Sequence, residues 1–185
     1  MVSGAICWWG KTRLHIYDEG TSVNAAKYLQ TLQKKHIPDL YELFEGDGFV
    51  WQQVQPCIVT DAAHHPVALV ALIILWVHIV PRMVCSQDGA SSHTAKIVTD
   101  WLDNQPFHTL RHWPANSPDL NIMENVWGMM VQALGHRVIQ TEDQLRDAIF
   151  EEWDNIGYDK IRALYRSLRD RFTAVVDRRG EPTRY

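Results

Sequence analysis

The alternation of apolar and polar positions at the start of the chain predicts β-structure. Residues 2–9 are mostly apolar and include β-branched side chains, and residues 13–17 alternate polar with apolar side chains. Gly10-Lys11 lies between the two runs and predicts a turn. The two runs therefore predict a β-hairpin.

A helix is predicted next, because largely apolar positions recur there at spacings of three and four. The residues on this face are Ala25, Tyr28, Leu29, Leu32 and His36. Asn24 precedes them as a suitable N-cap, and Pro38 follows them as a stop signal.

The remainder of the chain alternates between segments with the two-residue period of strands and segments with the three-to-four-residue spacing of helices. Residues 49–53 and 106–113 predict short strands, and residues 92–104 predict a helix with one apolar face. The sequence Ser117-Pro118-Asp119 is typical of a helix start, and Thr141 to Gln144 has the pattern of a capping box. A last helix has apolar residues spaced three or four apart: Ile161, Leu164, Leu168, Phe172 and Val175. This order of elements predicts an α/β domain.

Residues 54–87 differ in composition and residue pattern from the segments on either side. They contain three prolines, the adjacent pair His64-His65 and an apolar run over residues 67–80. That run is shorter than the roughly 20 residues that a membrane-spanning helix requires, so no membrane segment is expected. It is compatible with a buried strand or with a buried helix.

Composition and charge indicate a globular intracellular protein and give only a local indication of nucleic-acid binding. The chain has 185 residues, of which 46% are hydrophobic and 22% charged, and this predicts one globular domain. Its three cysteines have no disulfide or zinc spacing, and no secretory signal pattern opens the chain, so a reduced intracellular protein is expected. The net charge of −4 gives no global reason to bind nucleic acid. Residues 160–185 nevertheless carry eight basic and three acidic side chains, which fits either a solvated helix or a phosphate-contacting surface.

Two acidic residues are candidates for chemistry. Asp88 follows a predicted strand end, and Glu124 is expected in the second turn of the helix that starts at Ser117. Two such carboxylates can share divalent metal ions such as Mg²⁺, but the spacing alone is a weak signal among 22 acidic residues.

The residues around these carboxylates carry a more specific signal. The stretch QDGASSHTAKIVTDWLDNQPFHTLRHWPANSPDLNIMENVWG, residues 87–128, resembles the catalytic core of the mariner-like transposases of the Tc/mariner superfamily. The resemblance extends to the first 44 residues, to VIQTEDQLRDAIFEEWDNI and to the closing RRGEPTRY. Residues 54–86 fall outside it.

The resemblance implies an RNase H-like α/β fold, with a mixed sheet flanked by helices. It implies three carboxylates that bind two Mg²⁺ or Mn²⁺ ions and drive DNA strand cleavage and strand transfer. Asp88 matches the second carboxylate and Glu124 the third, so both are expected to be catalytic and to bind metal. Four further residues match motif positions and are interpreted as supporting residues: His93, Asn116, Asp119 and Asn125.

The resemblance also implies partners and a location. Transposon ends and target DNA are the expected partners, a homodimer is possible, and neither a membrane nor a small-molecule substrate is expected. The DNA substrate implies the nucleus.

The chain departs from the family pattern in ways that affect activity. The first catalytic aspartate and its strand are expected before Met1, and Asp18 aligns after that strand, so we expect a domain that lacks its first strand. No helix-turn-helix region is expected. Residues 54–87 are interpreted as an insertion within a single domain over 1–185, because their removal joins Gln53 to Asp88 in a continuous motif, GFVWQQDGASSHTA. In a competing interpretation, residues 67–80 replace the missing strand, with Asp61 as a substitute ligand.

The preferred hypothesis is a truncated, interrupted transposase catalytic domain that is inactive in this form. One alternative is a non-catalytic remnant that binds DNA or a full-length transposase through its basic C-terminal helices, with Arg166, Arg169 and Arg171 as contacts. Another is a pseudogene product that does not fold stably, because an unpaired strand edge promotes aggregation.

Overall fold

The computed structural model describes residues 1–18, 20, 22–44, 50–53, 84–87, 92–93, 95–110, 120–179, 181 and 183–185. For residues 50–53, 84–87 and 108–110 the description is of the backbone alone.

Four short strands form at the N-terminus: β1 (Val2–Ser3), β2 (Ile6–Cys7), β3 (Gly10–Lys11) and β4 (His15–Ile16). β1 pairs with β4 and β2 pairs with β3, both antiparallel. The predicted turn at Gly10-Lys11 is wrong, because these residues form β3 and the turn consists of Trp8 and Trp9. Gly10 instead allows the ring of Tyr158 to pack against the strand, since a Cβ at this position would lie 2.9 Å from Cε1 of Tyr158.

A continuous helical segment follows. It consists of α1 (Ala25–Thr31), a π-helical turn (Leu32–His36) and α2 (Ile37–Leu43). The predicted N-cap is confirmed, since the Asn24 side chain accepts a hydrogen bond from the Lys27 amide. The predicted stop at Pro38 is wrong, because Pro38 is the second residue of α2 and the helical structure continues through it to Leu43.

The main sheet contains three further strands: β5 (Val50–Gln53), β6 (Val84–Gln87) and β7 (His108–Leu110). Its strand order is β3-β2-β6-β5-β7. β6 is antiparallel to β2 and parallel to β5, and β5 is parallel to β7. The last four residues of the segment interpreted as an insertion therefore form the central strand, whereas residues 67–80 lie outside the described residues.

The remaining described helices are α3 (Lys96–Asp103), α4 (Ile122–Gly135), α5 (Glu142–Asp154) and α6 (Tyr158–Asp177). The capping box at Thr141 is confirmed, with Gln144 as its reciprocal partner. The helix start predicted at Ser117 lies outside the described residues. α4 itself begins later, at Ile122, with the side chain of Asn121 as its N-cap.

Helices cover both faces of the main sheet. Ile6 of β2 joins one core with α4, α5 and α6, formed by Leu14, Leu120, Ile122, Met123, Val126, Met130, Trp153, Ile156, Ile161, Tyr165, Leu168 and Phe172. Its neighbours Ala5 and Cys7 join a second core with α1, α2 and α3, formed by Tyr17, Val23, Tyr28, Leu32, Ile37, Leu40, Phe44, Val98, Leu102 and Phe107. This alternation is that of a strand buried on both sides, and it agrees with the expected mixed sheet flanked by helices. No described helix has the length and apolar character that spanning a membrane requires.

Candidate active site

The carboxyl ends of β5 and β6 define one edge of the main sheet. The two strands are parallel neighbours with Gln53 in register with Gln87, so both end at this edge. Asp88 follows Gln87 directly in sequence but lies outside the described residues. The structure therefore describes the strand that leads to Asp88 and not the carboxylate itself.

Glu124 lies in the first turn of α4, which packs against β6. The sequence predicts the second turn for Glu124, and the difference arises because α4 starts at Ile122. Its side chain is exposed, and the Asn121 amide Nδ2 donates to its Oε1 at 3.4 Å. The helix N-terminus favours a negative charge at this position.

His93 lies between β6 and α3 and is buried. Its ring stacks on Tyr28 of α1, with ring centroids 3.8 Å apart and planes inclined by 25°. The stack fixes the segment that leads into α3 against the helical layer. No pattern in the sequence indicates Tyr28 as the partner of His93, and the supporting role of His93 at the site stays a prediction.

The other supporting residues are only partly described. Asn116 and Asp119 lie outside the described residues. Asn125 follows Glu124 on α4, and its buried Oδ1 has no hydrogen-bond partner among the described residues.

The described residues contain part of the donor set that a divalent cation requires. Mg²⁺ and Mn²⁺ prefer oxygen ligands, and the exposed Glu124 carboxylate offers such oxygens. No group of three or more His, Cys, Asp or Glu side chains that could hold a metal occurs within the described part of the chain. That Asp88 meets Glu124 at a shared metal stays a prediction.

A buried polar cluster lies between the N-terminal strands and the π-helical turn. His36 is fully buried; its Nε2 lies 2.8 Å from Ser3 Oγ and its Nδ1 lies 3.2 Å from Thr12 Oγ1. Burial lowers the pKa of His36 to about 4, and the nearby Asp39 opposes this shift. Asp39 itself is held by Arg13 through the backbone amide and the guanidinium. Sequence periodicity placed His36 on the buried face but did not predict these partners.

The basic C-terminal helix presents its arginines in two different environments. The guanidinium carbons of Arg162 and Arg166 lie 5.9 and 5.6 Å from the ring centroid of Trp8, and both Arg166 and Arg169 are exposed. Arg171 is 4% exposed, and its Nε donates to Ser167 Oγ at 2.9 Å. The expectation that Arg171 contacts phosphate is therefore wrong, because its side chain is used inside the fold.

Three comparisons with known proteins bear on this geometry. A family model described as DDE superfamily endonuclease matches residues 57–146. The Tc3 transposase of Caenorhabditis elegans is 32% identical over 101 residues, which are 54% of this chain and 30% of that protein. Over more than half of its length the chain is thus similar to DDE transposases of the Tc/mariner type.

Solved structures agree with this similarity at the level of the fold. The catalytic domain of Mos1 mariner transposase superposes with a TM-score of 0.62 at 18% identity, covering 95% of this chain and 72% of that one. The Mos1 paired end complex with Mg gives a TM-score of 0.65 at 20% identity, covering 95% of this chain and 42% of that one. The expected RNase H-like fold is confirmed at this level. The domain spans about a third of the length of Tc3 transposase.

Proposed function

We propose that this domain belongs to a DNA transposase and carries out metal-dependent DNA strand cleavage and strand transfer. The observation that carries the proposal is the position of Glu124, an exposed carboxylate at the start of a helix that packs on the central strand β6. The next residue after β6 is Asp88. A carboxylate on the strand end and one on the neighbouring helix are suited to share metal ions in phosphoryl transfer.

In the proposed cleavage step, the oxygen of a water molecule forms a bond to a backbone phosphorus. The bond from that phosphorus to its 3′ oxygen breaks, the 3′ oxygen takes up a proton, and a 5′ phosphate remains. In strand transfer, the freed 3′-hydroxyl forms a bond to a phosphorus of target DNA, and a 3′ oxygen of the target leaves.

Asp88 and Glu124 would hold two Mg²⁺ or Mn²⁺ ions, which when bound supply activation of the attacking oxygen and stabilisation of the leaving oxygen. The Mos1 paired end complex with Mg supports this choice of cation by analogy. His93, stacked on Tyr28, would keep the segment after β6 in place. Transposon ends and target DNA would be the partners, a homodimer the assembly, and the nucleus the location.

Binding of Mn²⁺ tests the metal site independently of turnover. Titration calorimetry with the whole chain should show Mn²⁺ binding that weakens at least tenfold in Glu124→Gln and in Asp88→Asn, because each loses a charged oxygen ligand. Glu181→Gln removes the same charge from an exposed residue near the C-terminus and should leave the affinity unchanged. Equal affinities in all four proteins would refute the assignment of both carboxylates.

A cleavage assay then separates the proposed enzyme from the inactive form expected from the sequence. Labelled transposon-end DNA is incubated with the chain and Mg²⁺ or Mn²⁺. Cleavage that disappears in Glu124→Gln would establish the enzyme and overturn the expected inactivity. Mn²⁺ binding without cleavage would instead establish a folded but inactive transposase domain.

A further inference from the structure

Three arginines of α6 form a stripe along one flank of the helix, on the side of Trp8. Arg162, Arg166 and Arg169 fall within about 60° of arc, because a helix turns by about 100° per residue. Along the helix axis they span roughly 10 Å, at a rise of about 1.5 Å per residue. We call these three side chains the arginine flank.

The charges of the arginine flank are not neutralised inside the described part of the chain. None of the three guanidinium groups forms an ion pair with a described residue, whereas Arg13 and Arg137 each pair with carboxylates. Arg162 Nε is buried and has no hydrogen-bond partner among the described residues. The whole protein carries a net charge of −4. The positive charge of the arginine flank is therefore a local feature and is not explained by the overall charge of the protein.

Trp8 orients two of the three arginines. It lies at the β2–β3 turn, its ring is approached by the guanidinium groups of Arg162 and Arg166, and Tyr165 meets it edge-on with ring centroids 6.4 Å apart. Such cation–π contacts hold a guanidinium in place without consuming its hydrogen-bond donors. The two guanidinium groups are therefore held beside Trp8, and their hydrogen-bond donors are not used by that contact.

The arginine flank is separate from the candidate active site. Cys7 is in register with Cys85 in the antiparallel β2–β6 ladder, so Trp8 lies level with the amino end of β6. Asp88 follows the opposite end of that strand. A ligand on the flank thus meets the domain away from the edge where the carboxylates are expected.

We propose that the arginine flank binds the phosphate backbone of duplex DNA as a second contact, remote from the catalytic edge. This inference rests on the proposed function for the presence of DNA. Each strand of duplex DNA carries one phosphate per about 3.4 Å of helix axis, so a flank of roughly 10 Å that lies along one strand faces a dense row of negative charges. Guanidinium groups bind phosphate oxygens through paired N–H donors.

The aromatic side chains beside the flank favour backbone contact over base stacking. Trp8 is engaged by Arg162, Arg166 and Tyr165, and Trp9 stacks on Phe44 with ring centroids 6.3 Å apart. Single-strand binding proteins need free aromatic faces for successive bases. The flank should therefore bind duplex DNA without sequence preference and without favouring single strands.

The test measures duplex binding by the whole chain in EDTA, which removes any contribution of the metal site. The variant R162Q/R166Q/R169Q is compared with K160Q/R178Q/R179Q, which removes the same charge from exposed residues of the same C-terminal region. In the flank variant we expect affinity at 0.1 M salt to fall at least tenfold, and the slope of log K against log salt to decrease by roughly 3. The control should bind within about threefold of wild type.

Several results would overturn the proposal. Equal weakening of the two variants would show that only overall charge matters. Tighter binding to single strands than to duplex of the same sequence, lost in Trp8→Leu, would show base stacking instead. If the triple variant fails to unfold cooperatively, the single reversal Arg169→Glu at an exposed position replaces it and should also weaken binding and lower the slope.

The outcome is distinguishable from failure of the proposed function. Absence of duplex binding in the wild-type protein would refute the proposal that the arginine flank binds DNA. Absence of Mn²⁺ binding would refute only the assignment of Asp88 and Glu124 as metal ligands. A chain that binds duplex through the flank but binds no Mn²⁺ would be the non-catalytic DNA-binding remnant.

Discussion

Acidification should destabilise this protein well before its carboxylates titrate, because of His36. The imidazole is fully buried between Ser3 and Thr12, and burial lowers its pKa from 6.5 to about 4. Asp39 attracts the protonated form, but His15, His93 and Lys35 oppose it. The native state therefore keeps His36 neutral at pH values where an unfolded chain would protonate it.

The sign and magnitude follow from proton linkage. Between pH 6.5 and 4 the unfolded state binds more protons, so the free energy of unfolding falls as the pH falls. The full pKa difference corresponds to about 3 kcal/mol, and the part lost between pH 7.5 and 5 is about 2 kcal/mol. Most carboxylates remain ionised in that window. Burial also lowers the pKa of His15, which adds a loss of the same sign.

Urea unfolding at a series of pH values measures this effect. His36→Gln keeps a buried side chain that can donate and accept hydrogen bonds but cannot be protonated in this range. We expect the variant to be about 1–2 kcal/mol less stable at pH 7.5 and to lose much less stability than wild type between pH 7.5 and 5. Parallel stability curves for the two proteins, or a wild type that gains stability on acidification, would refute the reasoning.

Three further predictions concern packing and caps. Gly4→Ala should cost about 1–3 kcal/mol in thermal unfolding, since its Cβ would lie 2.8 Å from Cη2 of Trp153; Gly128→Ala, with open space around it, should not destabilise and serves as the control. Thr141→Ala should cost about 1 kcal/mol through loss of the capping box, and an unchanged melting temperature would contradict that role. Lys11→Met should destabilise by about 1–3 kcal/mol, because the Lys11 ammonium donates to the carbonyls of Trp153, Asp154 and Ile156 at the end of α5. A Lys11→Met protein that unfolds at the wild-type urea concentration would contradict this.

Local signals in the sequence determined the helices well. The Asn24 cap, the Thr141 capping box and the apolar face of α6 depend on contacts three or four residues apart, which sequence spacing records directly. The carboxylate Glu124 and its helix could likewise be found from sequence, although through family resemblance rather than spacing.

Only the tertiary structure decided how the strands meet. Trp8 and Trp9 form the turn, rather than Gly10 and Lys11, because strand register depends on partners far away in sequence and Gly10 is needed beside Tyr158. The same holds for the central strand. β6 pairs with β2 across nearly eighty residues of chain, and no pattern within either segment specifies that pairing.

Side-chain environments were also decided by packing between distant elements. In the sequence, Arg171 is indistinguishable from the other basic residues of the helix, yet the structure buries it. Arg162 and Arg166 instead lie against Trp8, which comes from the other end of the chain. His36 reads as a position on a buried helix face, and its depressed pKa arises only when the N-terminal strands enclose it. By itself, the sequence determined most of the helices, because they depend on short-range patterns, and its motifs supplied the family resemblance and the candidate carboxylates. Sheet order, burial and proton affinity depend on long-range contacts that only the folded chain brings together.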